Sequence, residues 1–312
     1  MPSSIVRRYA IATACIATVG VVGSLIAFVP IWPLALLEHF RLQYVVVGAV
    51  VGAALGALRV YGWFDAAALA TLLNLCTVAP DLSASAQPLP SAGTPLRVLV
   101  LNVHTSSHAF AEVRELIAAT HPDIVGLVEV DQRWLDALAP AVTSYAQRIE
   151  HPRDDNFGVA FYSRLPMTGA IEELGSRLPS VVTTVDLQGT PVAVVLTHPL
   201  PPVRSALFDE LDVQLAAVAA RARELGPHVL VMGDFNATPW SRPLRHFVAA
   251  SGLCDTRAGF GVQASFPASS FVLRIPIDHV FASCSIGVRE RRIERDVGSD
   301  HLPVVVDVVV PR

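Results

Sequence analysis

The chain has 312 residues, a formal net charge of −4 and 52% hydrophobic residues, with a mean hydropathy of +0.49. That length exceeds one average domain and fits one large domain with an appendage. All 23 basic residues are arginine, and without a basic excess the composition argues against a dedicated nucleic-acid binder.

The apolar excess is concentrated in the first 80 residues. No charged residue falls between Arg8 and Glu38 or between Arg41 and Arg59, and a third apolar stretch runs from Ala66 to Ala79. A membrane span takes roughly 17–25 apolar residues. The first stretch meets that length. The second is at the short limit, and its Gly48, Gly52 and Gly56 at spacing four suit close helix packing in lipid. The third reaches full length once Val60 to Phe64 are added. A cleaved signal peptide beginning at Arg7-Arg8 would explain the first stretch but not the two that follow. Three spans put Arg7, Arg8 and Arg59 on the cytoplasmic side and the rest of the chain outside, whereas two would keep it inside. The expected division is an anchor over 1–80, a linker over 81–95 (DLSASAQPLPSAGTP) and a catalytic domain over 96–312.

From Ser91 onward 19 arginines face 24 acids. Cys15 and Cys76 lie in the apolar stretches. Cys254 and Cys284 either pair, if they meet an oxidising space, or remain two buried thiols.

Strand patterns occur at Arg97–Val103, Ile124–Val128, Gly158–Tyr162, Val181–Leu187 and Val192–Thr197. Phe110, Val113, Leu116 and Ile117 recur at helical spacing between the first two. Val203 to Leu225 is the longest helical stretch, stopped by Gly226-Pro227. A strand before Asp234, a helix near Pro243 to Ala250, and strands at Ile277–Ala282 and Pro303–Val310 complete the pattern. Helices on some faces and antiparallel pairs elsewhere point to a layered α/β sandwich.

Polar residues cluster at the ends of these apolar runs: Asn102, Glu129, His198, Asp234 with Asn236, Asp278, and Asp300-His301. One polar residue at a strand end is ordinarily a cap or turn former. Eight such residues together, of types suited to a divalent cation and a phosphate, are poorly explained that way. Asp234 and Asn236, two apart after an extended run, project to one side. His104, His151 and His279 lie beside these residues and read as packing or surface groups. Arg164 reads equally as a surface charge.

The ordered motifs resemble the endonuclease/exonuclease/phosphatase superfamily, which has a DNase I-like fold. The resemblance is carried by Val98-Leu99-Val100-Leu101-Asn102, Asp123 to Glu129, Gly158 to Arg164, Thr197-His198, Gly233-Asp234-Phe235-Asn236, Ile277-Asp278-His279-Val280 and Gly298 to Pro303. It implies a four-layer α-β-β-α sandwich with one Mg²⁺- or Mn²⁺-dependent site at the sheet edge. On that resemblance Glu129, Asn102 and Asp300 are metal contacts. His301 resembles the catalytic histidine and Asp278 the carboxylate that fixes its tautomer. Asp234 orients or deprotonates the attacking water, and Asn236 and His198 donate to the phosphoryl oxygens.

Membrane tethering and a soluble part that is not basic separate this chain from the superfamily's nucleases. It looks like bacterial members with several N-terminal spans and an external domain, including a type associated with glycopeptide-antibiotic resistance and thought to act on polyprenyl pyrophosphate. The expectation is a multi-pass inner-membrane hydrolase of a phosphorylated lipid or lipid pyrophosphate, its catalytic domain outside the cytoplasm. An anchored extracytoplasmic nuclease, with the Arg289 to Arg295 stretch as its basic groove, is the alternative. A third reading is an inactive domain that binds a membrane partner.

Overall fold

The computed structural model describes residues 4–29 and 31–312. The chain divides into two compact units, Met1–Ser83 and Ala84–Arg312.

In the first unit, α1 (Ser4–Gly23) continues as a 3₁₀ turn, Ser24–Phe28, and a second 3₁₀ segment, Leu34–Phe40, leads into α2 (Arg41–Leu58), followed by α3 (Tyr61–Ser83). Three helical stretches are long and apolar enough to cross a membrane: Arg7–Phe28, Leu34–Leu58 and Tyr61–Ser83. The second therefore starts before Arg41, the charge that bounds the apolar run in the sequence. Arg41 can lie inside because its guanidinium donates to Asn74 Oδ1 (3.0 Å) and the Ala27 carbonyl (3.2 Å), with the Phe28 ring 3.9 Å away. Asn74 in turn donates to Ser24 Oγ (2.8 Å), so one polar chain ties the three helices together. Of the spaced glycines, Gly48 sits where a Cβ would come within 2.0 Å of Thr71 Oγ1 on α3.

The second unit holds two six-stranded sheets. Chain order gives β1 (Gly93–Asn102), α4 (Phe110–Thr120), β2 (Ile124–Val128), α5 (Gln132–Leu138), β3 (Gln147–His151) and β4 (Val159–Ser163). The chain then makes β5 (Met167–Glu173), β6 (Pro179–Leu187), β7 (Thr190–Leu196), α6 (Ser205–Glu224), β8 (Val229–Asp234), α7 (Arg242–Ser251), β9 (Cys254–Asp255), β10 (Asp278–Ala282), β11 (Gly287–Ile293) and β12 (Val304–Pro311). The first sheet runs β11-β12-β1-β2-β4-β3 and the second β5-β6-β7-β8-β10-β9.

Strand alternation explains the layering. In β1, Leu96, Val98 and Val100 join Val192, Val194, Leu230 and Met232 in the core between the sheets. Leu99 and Leu101 point the other way and pack with Val113, Leu116 and Ile117 of α4. On the far side Val195 and Val231 pack against Leu211, Leu215 and Val218 of α6 and Leu244 and Phe247 of α7. Both faces of the central strands are covered, which is why they read as continuous apolar runs. The result is the four-layer α-β-β-α sandwich expected from the sequence.

The sequence pattern misses α5 and the edge strands β3, β5, β9 and β11. These strands carry polar residues facing solvent, as in the half-exposed β5. Cys254 and Cys284 form a disulfide with Cα atoms 5.1 Å apart, tying β9 to the turn after β10.

Candidate active site

Topology alone converges the polar strand ends. β1 and β2 are parallel, with Asn102 opposite Val128, so Asn102 and Glu129 emerge side by side. β7 and β8 are parallel in the second sheet and deliver His198 and Asp234 to the same edge. β10 runs antiparallel to β8 and places Asp278 directly across from Asp234. β12 runs antiparallel to β1, so the residues before it, Asp300 and His301, arrive there as well.

Asn102 is the meeting point. Its Nδ2 donates to Glu129 Oε1 (2.8 Å) and Asp234 Oδ2 (3.1 Å) and lies 3.5 Å from His301 Nε2. Its Oδ1 accepts the His104 N–H at 2.9 Å. Glu129 is further fixed by Thr105, whose N–H donates to Oε2 (3.3 Å) and whose hydroxyl donates to the Glu129 carbonyl (2.9 Å). Glu129 and Asn236 both adopt left-handed backbone, φ 60° and 50°. Such conformations are costly for these residues and concentrate at functional turns. Gly233 is obligatory: its φ is +146° and a Cβ would fall 1.8 Å from the Thr197 carbonyl oxygen.

His301 Nδ1 is 2.8 Å from Asp278 Oδ2, and the ring is backed by Phe266 at 4.6 Å. This leaves Nε2 facing Asp234 Oδ2 at 3.6 Å. His198 Nε2 sits 3.5 Å from the same oxygen. Asp234 Oδ1 accepts the Asn236 N–H at 2.9 Å, and Asn236 Nδ2 donates to the Pro199 carbonyl at 2.9 Å. Asp300 stands slightly apart, 42% exposed, with Oδ1 3.4 Å from His104 Nδ1.

Burial opposes charge on His301, but the carboxylates of Asp278 and Asp234 outweigh it and push the imidazole up to about 10. Burial likewise opposes the Asp234 anion, yet the adjacent His301 and His198 hold its carboxyl below the usual carboxylate range. His198 is raised in spite of its burial, chiefly by its hydrogen bond to Asp234. The site is thus a buried lattice of alternating charge.

Oxygen and nitrogen atoms of Asp234, Asp278 and His301 lie within 4.8 Å of one another, a grouping that suits a cation. Asp278 and His301 are already bonded to each other. Glu129 adds a further carboxylate beside them, joined to Asp234 through the Asn102 Nδ2 that donates to both, and carboxylate oxygens are what a hard divalent ion prefers. The residues fit a metal.

The site opens into a cavity of about 510 Å³ lined by Glu129, His198, Asp234, Asn236, Asp300 and His301. Phe157, Leu200, Pro201, Leu207, Phe266 and Ile277 contribute apolar lining, with Asp155, Asn156 and Arg204 among them.

Sequence reasoning did not single out Thr105 or Phe266, and it placed Ser299 in a motif without giving it a role. Ser299 Oγ donates to the Asn102 carbonyl (2.7 Å) and accepts the His301 N–H (3.1 Å). Its place before Asp300-His301 was the available signal; Thr105 and Phe266 carry none. His279, read as packing, is buried and bonded to the Ala237 carbonyl at 2.9 Å. Arg164 lies over Tyr145 at 5.0 Å.

Solved structures share this fold. An endonuclease/exonuclease/phosphatase from Beutenbergia cavernae is 24% identical, with 70% of this chain and 72% of that one covered and a TM-score of 0.55. A family protein from Bacteroides thetaiotaomicron is 20% identical over 71% and 100% of the two chains, TM-score 0.57. A mannosyl-6-phosphatase from the same organism is 20% identical over 69% and 99%, TM-score 0.56. No curated protein matches the sequence. The model of the Endonuclease/Exonuclease/phosphatase family matches residues 99–301, and with the fold and the converged strand ends it makes this chain a member of that family.

Proposed function

We propose that the protein is a membrane-anchored, Mg²⁺- or Mn²⁺-dependent hydrolase of a phosphoester or phosphoanhydride on a phosphorylated lipid or polyprenyl pyrophosphate at the outer membrane face. The observation that carries this reading is the mixed lining of the cavity. A phosphate-directed array shares the cavity with Leu200, Pro201, Leu207 and Phe157, and a headgroup with an apolar continuation matches both kinds of lining.

In this reading Glu129, with Asp300, would hold the ion, with Asn102 steadying Glu129 through its Nδ2–H, and the ion would supply Lewis-acid polarisation of the phosphoryl group. Asp234 orients the attacking water. His301, oriented through Nδ1 by Asp278, presents a cationic Nε2–H to the phosphoryl oxygens as charge builds. His198 and Asn236 add further donors.

Three further observations favour a lipid over a nucleic acid at an external face. The Arg289 to Arg295 stretch belongs largely to β11, where Arg291 is buried. Arg292 pairs with Glu290, Glu294 and Asp307, and Arg295 with Glu115, so the stretch offers little net positive surface. The Cys254–Cys284 disulfide suits an oxidising compartment, as three spans would require.

The test is turnover by the purified full chain in detergent with Mg²⁺ or Mn²⁺ on polyprenyl pyrophosphate, sphingomyelin, inositol phosphates and single- and double-stranded DNA. Hydrolysis of a lipid substrate is expected. Efficient DNA cleavage without activity on lipid phosphates would overturn the reading.

A further inference from the structure

The bridge between Phe266 and Ile275 closes a turn at the rim of the cavity. Phe266 backs His301, and the Ala268 N–H donates to the Asp300 carbonyl at 2.7 Å, so the turn is attached to the site. It is also a built structure. The Ser270 N–H donates to the Pro267 carbonyl (3.3 Å), the Leu273 N–H to Ser270 Oγ (3.2 Å), and the Arg274 guanidinium to the carbonyls of Pro267 (3.2 Å) and Ala268. These polar groups are engaged within the turn, while its tip displays Phe271, Val272 and Leu273 at 88%, 72% and 54% exposure. No other run of consecutive large hydrophobics in residues 84–312 is so exposed. Contiguous apolar groups held out by an ordered backbone mark a surface meant for a non-aqueous partner.

We propose that this turn inserts into the surface of a lipid bilayer and seats the cavity mouth on it. Two features commit the partner to lipid. The same chain carries three helices long and apolar enough to cross a membrane. Only residues 84 and 85 separate the last of them from Ala86, which packs on Gly259 of the catalytic unit, so a bilayer is tethered by about 10 Å of chain. The stretch between Asp255 and Asp278 also contains no acid, and Leu273 is followed by Arg274. Apolar tips beside arginine are the composition of interfacial elements on anionic lipid. The loop that lends Pro201 and Arg204 to the cavity adds Val203, 59% exposed. The docking deepens the lipid-substrate reading, on which its catalytic consequence rests.

The test uses the full chain with Cys15 and Cys76 changed to Ser and a dye on Phe271→Cys, reconstituted in phosphatidylcholine/phosphatidylglycerol vesicles. Val213→Cys, on the exposed face of α6, is the control. Lipids brominated in the acyl chains should quench the dye at 271 several-fold more than at 213, and aqueous iodide should do the reverse. Equal access to iodide at both positions overturns the proposal, as does quenching that follows protein density instead of lipid bromination, the sign of self-association. In a second arm, Phe271→Asp with Leu273→Asp should lower turnover of bilayer-embedded substrate about tenfold or more while sparing a soluble aryl phosphodiester. Equal loss on both substrates overturns the catalytic consequence. If the wild type hydrolyses neither, the substrate reading fails and the quenching result alone decides docking.

Discussion

Arg291 donates from its guanidinium to the main-chain carbonyl of Asp278 at 3.0 Å, although the two residues belong to different sheets. Arg291 also reaches Gln263 Oε1 at 3.3 Å and is only 2% exposed. It therefore pins the strand that carries the partner of His301. Arg291→Met should destabilise the catalytic unit by about 1–3 kcal/mol, the cost of stranding a buried acceptor. It should lower kcat more than it raises KM. Thermal unfolding and steady-state kinetics check both.

Asp234→Asn and His301→Ala each remove a charge from the lattice without enlarging a hydrophobic core. Either should leave circular dichroism unchanged while lowering turnover by about 10³-fold, the scale of lost acid–base and electrostatic assistance. Full activity in both variants would remove the proposed mechanism.

Glu129→Gln keeps the shape but removes a carboxylate from the candidate metal site. The divalent-metal concentration giving half-maximal turnover should rise by about tenfold or more. Calorimetric titration of Mg²⁺ or Mn²⁺ supplies a readout independent of catalysis.

His279 gives a pH signature unconnected with turnover. Burial pushes its imidazole down to about 4, whereas an unfolded histidine titrates near 6.5. Below about 6.5 the unfolded chain binds a proton that the folded chain refuses. The stability contributed by the neutral ring is thus present above that pH and is lost as pH falls toward about 4, by up to about 3 kcal/mol. His279→Gln, which cannot titrate, should flatten unfolding midpoints across that window. An unaltered slope would show that other groups govern it.

Cys254 and Cys284 are 30 residues apart in sequence. Cys254→Ser should cost about 3–4 kcal/mol by the loop-closure argument. Maleimide should label only Cys15 and Cys76 in the unreduced wild type, and a reporter fused after Arg312 should be active outside the cytoplasm.

How much of this was legible depended on burial. β1, β2, β4, β6, β7, β8, β10 and β12 are covered on one or both faces, so their apolar runs announce them. β11 hides because its outward Arg289 and Glu290 and inward Arg291 read together as a solvated charge run. Asn102, Glu129, Asp234 and His301 were visible as polar residues at the ends of apolar strands. Thr105 and Phe266 were not, because a hydroxyl on a loop and a ring beside a proline carry no signal until the chain brings them against Glu129 and His301. The seating of Arg41 between helices was equally hidden, since its partners Ala27 and Asn74 lie 14 and 33 residues away.

Asn102 and Glu129 belong to one sheet and Asp234 to the other, and the nitrogen that joins them spans the seam of the sandwich. Chemistry here is a gauge of how the two halves are stacked. A shear too slight to melt either sheet would already pull that nitrogen off one of its carboxylates. On gentle heating or in dilute denaturant, hydrolysis should fade before the far-ultraviolet signal does, and ligands that clamp the seam should restore the first without altering the second.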